Sequence, residues 1–182
     1  MHQLTDNALM IKVQSGDLDK MGLLYERHKK RLFGYFYNMN HNASVSEDLV
    51  QNVFIRLMKY KHTYSGDGSF LAWMFSTARN VRYDHHKKNS QHYTDLKQVE
   101  YKIDDGNNAE KQMNRKDDIS LIQSAMMKLD QDKREILVLS KFKEMKFSEI
   151  GNVLGCTEGA AKVKAHRALK DLKQIVHSMQ TL

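Results

Sequence analysis

The sequence predicts an all-α protein of two small helical domains joined by a flexible linker, the second a helix-turn-helix domain. Three observations carry that expectation. The 182 residues contain no proline and only nine glycines, which favours long helices over turn-dense sandwiches and barrels. Apolar residues recur at spacings of three and four in most segments, and strand-like alternation persists nowhere. Between two such periodic stretches, residues 93–118 lose apolar content and include Asp104-Asp105-Gly106-Asn107-Asn108, a composition suited to a connector.

Each element has its own signal. Thr5 is placed to cap a short helix through Ala8, Leu9 and Val13. After Ser15-Gly16-Asp17 a longer stripe runs through Leu18, Met21, Leu24, Tyr25, His28, Leu32, Tyr35 and Phe36. His41-Asn42-Ala43 breaks it, and Ser44-Val45-Ser46-Glu47 reads as a capping box opening a helix that holds Leu49, Val50, Val53, Phe54, Leu57 and Met58. The glycine-containing segment 62–69 is a loop, and 70–88 is helical. Ile119, Ile122, Met126 and Leu129 restore the helical period; Asp130 or Asp132 is placed to cap the run through Ile136, Leu137, Leu139 and Ser140. Helices over 148–154 and 157–179 close the chain.

Charge and cysteine content narrow the class. Residues 1–92 carry 13 basic and 8 acidic side chains, 93–118 carry 5 and 7, and 119–182 carry 11 and 7. Two basic lobes around a slightly acidic middle suit a polyanion touched at two places; a soluble protein with a mildly basic surface is the plainer alternative. The one cysteine, Cys156, excludes an internal disulfide and a Cys-rich zinc site. No apolar stretch is long enough to span a bilayer, and the polar N-terminus does not read as a secretory signal. The expected setting is the cytosol.

Residues 147–169 have the form of a helix-turn-helix. Ser148 is expected to cap the first helix, whose Ile150, Val153 and Leu154 face inward. Gly151 lacks a side chain where the second helix passes closely, Gly155 supplies the turn, and Thr157 caps the second helix. On that helix Ala161, Ala165, Ala168, Leu169, Leu172, Ile175 and Val176 share one face. Val163, His166, Arg167, Lys170 and Gln174 lie opposite, with Lys162 and Lys164 on the flanks. A capped N-terminus and a basic outer face suit the DNA major groove, where Arg167 or Lys164 can donate to guanine edges or phosphates and Val163 can touch a thymine methyl.

In the first lobe, Leu71, Met74, Phe75, Ala78 and Val81 form the inward stripe of 70–88. Trp73, Ser76, Thr77, Asn80, Tyr83, Asp84 and Lys87 lie on the other side. There Trp73 either stacks on an unpaired base or packs against another helix. The Gly66-Asp67-Gly68 loop beside it either closes on an extruded base or merely turns the chain. On the 44–60 helix, Asp48, Gln51, Asn52, Arg56 and Lys59 leave one side polar, with Phe54 near the boundary; a partner helix or solvent suits that side. His85, His86 and His92 lack the i, i+4 spacing and the acidic or Cys partners of a metal site, so neither metal nor cofactor is expected.

Four stretches together resemble the extracytoplasmic-function type of bacterial RNA polymerase sigma factors, within the sigma-70 family. They are Glu47 to Leu57, Phe70 to Asp84, Lys133 to Leu139 and Phe147 to Leu169. They span nearly the whole chain outside the linker and occur in the family's order. The resemblance implies that 1–92 is region two, 93–118 a linker and 119–182 region four. It implies that Asp48, Gln51, Asn52, Phe54 and Arg56 dock on the clamp helices of the largest subunit of core RNA polymerase. Trp73, Asn80, Tyr83 and Lys87 would engage the minus-ten element, with Arg79 and Arg82 on phosphates. Thr157, Glu158, Lys162, Lys164, His166, Arg167 and Lys170 would read the minus-thirty-five element. Such a protein is a promoter-specificity subunit rather than an enzyme, and its partners are core polymerase, promoter DNA and an anti-sigma factor.

Two departures from the family stand out: Leu129-Asp130 replaces a common Leu-Pro, and Ala161 and Ala165 replace larger aliphatics. The alternative function is a stand-alone helix-turn-helix regulator, which leaves Trp73 and the 47–58 helix unexplained. A metal-dependent nuclease built on the three histidines lacks a carboxylate cluster.

Overall fold

The computed structural model describes residues 4–92, 111–142 and 145–181, and among them every regular element is helical. The N-terminal lobe comprises α1 (Asp6–Gln14), α2 (Asp19–Asn40), α3 (Ala43–Lys59) and α4 (Phe70–His92). The C-terminal lobe comprises α5 (Lys111–Lys128), α6 (Gln131–Leu137), α7 (Phe147–Leu154) and α8 (Glu158–Gln180). Of the expected linker, 93–110 lies outside the described residues, while 111–118 opens α5.

The helical stripes become the core. Leu9, Met10 and Val13 of α1 meet Met21, Leu24, Leu32, Tyr35 and Phe36 of α2, Leu49, Val53 and Leu57 of α3, and Phe70, Met74, Phe75 and Ala78 of α4. Each fully buried Leu or Phe contributes roughly 1.5–3 kcal/mol relative to solvent exposure. Leu18, expected on the stripe, is instead 47% exposed because it precedes the first turn of α2. In the second lobe α8 packs against α5, α6 and α7 through Ala161, Ala165 and Ala168, whose small side chains allow close approach.

Helix starts agree with the sequence at some places and differ at others. Thr5 caps α1, its hydroxyl accepting from the Ala8 N–H at 3.2 Å. The expected capping box at Ser44 is not used. His41 ends α2 in the left-handed region (φ 50°), which turns the chain early, and Asn42 takes the cap, accepting from the Val45 N–H at 3.0 Å. Asp130 holds the cap position of α6 without a side-chain cap bond; its carboxylate faces Lys133 at 3.4 Å. Beyond α6 the chain widens into a π turn over Val138–Phe142, which periodicity alone did not announce. Helix α7 begins at Phe147, so Ser148 lies inside it rather than at its cap; the Glu149 carboxylate accepts from the Lys146 N–H at 3.1 Å.

The two lobes pack against each other, chiefly α4 on α7 and α2 on α6 and the π turn. Arg134, 6% exposed, helps to set that junction. Its guanidinium donates to the carbonyls of Met126 (2.8 Å), Met127 (2.7 Å) and Leu129 (3.0 Å) at the end of α5, and to that of Met39 (3.0 Å) at the end of α2. One cation thereby satisfies unpaired carbonyls at two helix C-termini, where the helix dipoles favour positive charge.

Candidate nucleic-acid and polymerase interfaces

The helix-turn-helix forms as its glycines require. Gly155 has φ +66° and ends α7. A Cβ at Gly151 would meet the Cys156 carbonyl oxygen at 2.6 Å and the Glu158 nitrogen at 3.4 Å, so the close approach is to the turn and the start of α8. Thr157 caps α8 by accepting from the Ala160 N–H at 3.2 Å. Lys162, Val163, Lys164, His166, Arg167 and Lys170 are all exposed on one sweep of α8. Glu158 and Lys162 pair with each other at 2.6 Å. Among the described residues, Lys164, Arg167 and Lys170 have no carboxylate at ion-pair distance, so their charge is available to an external anion.

The α4 face is more divided. Asn80, Tyr83 and Lys87 are exposed in one stripe, with Trp73 seven residues before Asn80. Trp73 is half-buried, its ring 5.1 Å from Tyr64 and 6.2 Å from Phe70. It is therefore part of an aromatic cluster rather than a residue standing clear of the core, and it keeps part of its surface toward solvent. Arg79 and Arg82 do not join the exposed stripe. Arg82 is 1% exposed and Glu135, from α6, is 0% exposed. Arg79 Nε donates to Glu135 Oε2 at 3.1 Å, Arg82 Nη2 lies 3.2 Å from the same oxygen, and the Tyr35 hydroxyl donates to Oε1 at 2.6 Å. The Arg82 contact is an ion pair by distance, but its angle leaves Nε and Nη2 without a hydrogen bond. Burial, and then the Glu135 carboxylate, push the Tyr35 phenol well above its ordinary pKa, so it stays a donor. The Arg79 and Arg82 guanidinium groups also lie over the Tyr83 ring, each 5.1 Å from its centre.

The loop before α4 is tethered, which favours the plain turn of the two readings. Asn7 of α1 donates to the Gly68 carbonyl at 2.7 Å and accepts from the Phe70 N–H at 2.9 Å, capping α4 from another helix. Gln14 donates to the Tyr64 carbonyl at 2.9 Å. From the other lobe, Glu149 Oε1 accepts the Ser69 hydroxyl at 2.5 Å. The histidines near the end of α4 make no metal cage: His85 and His86 rings are 6.1 Å apart, and the side chain of His92 lies outside the described residues. Among the described residues no group of three or more His, Cys, Asp or Glu is gathered in metal-binding range.

On α3, Asp48, Gln51 and Asn52 are exposed along one stripe. Phe54 is not part of it: at 7% exposure it packs edge-on against Tyr25 at 4.9 Å, because it falls on the core side of the helix. Arg56 is half-buried and pairs with Asp84, linking α3 to α4. Sequence reasoning missed Ile55, 63% exposed, which continues the Asp48–Asn52 stripe at i+7. It also missed a cleft of about 390 Å³ between α2 and α3 beside Gln51, lined by Tyr25, Lys29, Phe33 and Glu47. An unburied β-branched residue on a polar stripe was the available signal for Ile55; the cleft had none, because it arises from two helices meeting.

Known proteins share this organisation. The family model of Sigma-70 region 2 matches residues 24–92, and that of Sigma-70 region 4 matches residues 119–172. The chain is 26% identical to the RNA polymerase sigma factor CarQ of Myxococcus xanthus over 174 residues, covering 94% of this chain and 97% of CarQ. It is 26% identical to the extracytoplasmic-function sigma factor SigW of Bacillus subtilis, covering 90% and 92%. The fold resembles that of CnrH in complex with the cytosolic domain of CnrY (TM-score 0.73, 21% identity, 95% and 97% covered). It also resembles RpoE of Bartonella quintana bound to the anti-sigma factor NepR (TM-score 0.69, 17% identity, 86% and 96% covered). With both conserved regions present, in order, on two helical lobes, the chain belongs to the sigma-70 family of RNA polymerase sigma factors, in its extracytoplasmic-function branch.

Proposed function

We propose that this chain performs the promoter-directing function of a sigma factor by a division of labour between its lobes. The exposed stripe of α3, Asp48, Gln51, Asn52 and Ile55, docks on the clamp helices of core RNA polymerase. On α4, Asn80, Tyr83 and Lys87, with the exposed part of Trp73, hold bases and backbone of the minus-ten element. Helix α8 enters the major groove of the minus-thirty-five element with Lys164, His166, Arg167 and Lys170, while Thr157 and Glu158 stand at its N-terminus. Phosphate contacts supply salt-sensitive affinity, and a few side chains supply base choice. Strand opening rests on capture of bases already unstacked, offsetting a few kcal/mol of lost stacking and pairing.

The observation that carries this reading is the capped, cation-rich outer face of α8, open to solvent on a helix-turn-helix whose two glycines are each required by the backbone. The chain acts without catalytic residues of its own, in the cytoplasm. No helix among the described residues is long and apolar enough to cross a membrane. An anti-sigma protein is a further partner; RpoE of Bartonella quintana, similar in fold, was solved with one.

Run-off transcription with core polymerase on a promoter library tests the reading: initiation from specific sites should depend on the chain. Tight, specific duplex binding without polymerase would instead indicate a stand-alone regulator. Within the reading, Asn80→Ala should lower open-complex yield by roughly five- to 150-fold, the 1–3 kcal/mol associated with one stacked or held base, with polymerase binding intact. An unchanged permanganate footprint would remove Asn80 from that role.

A further inference from the structure

We infer that α1 is a positioning element for the minus-ten surface: its Asn7 and Gln14 hold the segment 61–70 in the shape that meets DNA, without touching DNA themselves. This rests on the promoter-binding reading above and deepens it, naming residues that govern base preference from behind the contact face. Helix α1 precedes the residues matched by the family model of Sigma-70 region 2, which begin at 24, so that match assigns it no role. Yet it is joined to the segment along its whole length. Asn7 Nδ2 donates to the Gly68 carbonyl at 2.7 Å, while its Oδ1 accepts from the Phe70 N–H at 2.9 Å. Two turns later on the same face, Gln14 Nε2 donates to the Tyr64 carbonyl at 2.9 Å and reaches the His62 carbonyl at 3.4 Å. Between them Ile11 lies against Gly66, its Cδ1 3.4 Å from where a Cβ would stand, and Lys61 Nζ reaches back to the Val13 carbonyl at 3.5 Å.

The chemistry of these contacts makes α1 a template rather than a packing neighbour. Asn7 meets one main-chain acceptor and one main-chain donor, so an amide serves both where a carboxylate would serve only one. Ser69, immediately before α4, donates its hydroxyl to Glu149, and the first turn of α4 takes its side-chain cap from Asn7 instead. The template is itself fixed. Leu9, Met10 and Val13 are fully buried, and the Asp6 carboxylate lies 2.7 Å from both Arg27 Nη1 and His28 Nε2 of α2. What it fixes is the surround of Trp73. Tyr64, whose carbonyl Gln14 holds, and Phe70, whose N–H Asn7 holds, carry the two rings packed beside the indole. The same segment presents Ser65, Asp67 and Gly68 to solvent. A surface whose backbone is ordered before its partner arrives loses less entropy on binding, and it rejects a partner that needs another shape. Base preference at the minus-ten element is therefore set in part by α1.

The test uses the full chain with core polymerase and two promoter libraries, one randomised at the minus-ten element and the other at the minus-thirty-five element. Asn7→Asp keeps the acceptor for the Phe70 N–H and removes the donor to Gly68. Gln14→Ala removes the second hold from an exposed position, where folding is not at stake. Each variant should narrow the ratio of initiation between the best and the poorest minus-ten sequences about tenfold. Each should leave the ranking of minus-thirty-five sequences as in the wild-type chain. A loss spread evenly over both libraries, as a smaller folded fraction would give, overturns the inference, and so does wild-type minus-ten preference in both variants. Failure of the wild-type chain to initiate from either library would sink the promoter reading itself. Variants that keep the preference of an active wild-type chain sink only the role of α1.

Discussion

Helices α4 and α8 are each 23 residues long, each amphipathic, and each carries the cations assigned to one promoter element. Their surroundings differ. The cations of α8 are exposed to solvent, and among the described residues no carboxylate faces Lys164, Arg167 or Lys170. Those of α4 are divided: Lys87 stays outside, while Arg79 and Arg82 are drawn into a junction with Glu135. The comparison teaches that a basic residue on a helical wheel is not yet a surface charge. A second lobe can enlist it, and the same guanidinium then serves cohesion instead of recognition.

The sharpest way to break the comparison is Arg82→Ala. Removing one partner of a buried ion pair costs about 3–5 kcal/mol, and here the loss should appear as parting of the lobes. Scattering should report expansion while circular dichroism reports retained helix. The counterpart, Arg167→Ala, should leave compactness unchanged and weaken the upstream DNA contact by roughly 1–3 kcal/mol if it reads a base; a loss uniform across promoter sequences would assign it to phosphate. Gly151→Ala tests whether α8 is held by its turn. The added methyl meets a backbone carbonyl that cannot step aside, so thermal denaturation should show the C-terminal lobe weakened by about 1–3 kcal/mol. The smallest effect belongs to Thr157→Ala, which removes the cap of α8 and should lower stability by about 1 kcal/mol in the same melting experiment.

Much of the molecule was legible from local signals. Helix identity followed from three-four spacing, and the helix-turn-helix from Gly151, Gly155 and Thr157 at fixed offsets, because steric and hydrogen-bonding demands within a few residues set those positions. The exposed stripes on α3 and α4 were likewise visible on a wheel. Where expectations failed, the cause was in some places a neighbour remote in sequence and in others the way the preceding turn was made. Asn7 tethers, from 61 residues away, the loop for which mobility was one of two readings. Tyr25 of α2 covers Phe54 of α3. The cap at Asn42 displaced the one expected at Ser44 because His41 turned the chain first.

The motif from Lys133 to Leu139 shows the division most clearly. Its Ile136, Leu137 and Leu139 are core residues that periodicity already demanded. Nothing local explains Arg134 and Glu135, two adjacent charges that a wheel would send to solvent. Only when α2, α4, α5 and α6 meet does Arg134 find four helix-end carbonyls and Glu135 find a tyrosine and two arginines. Amino-acid order by itself therefore determined the helices, their two-lobe grouping and the family, since backbone propensity and burial act over short range. Which charges face DNA and which fasten the lobes was decided by tertiary packing, because a charge is buried only where partners from other helices replace its water.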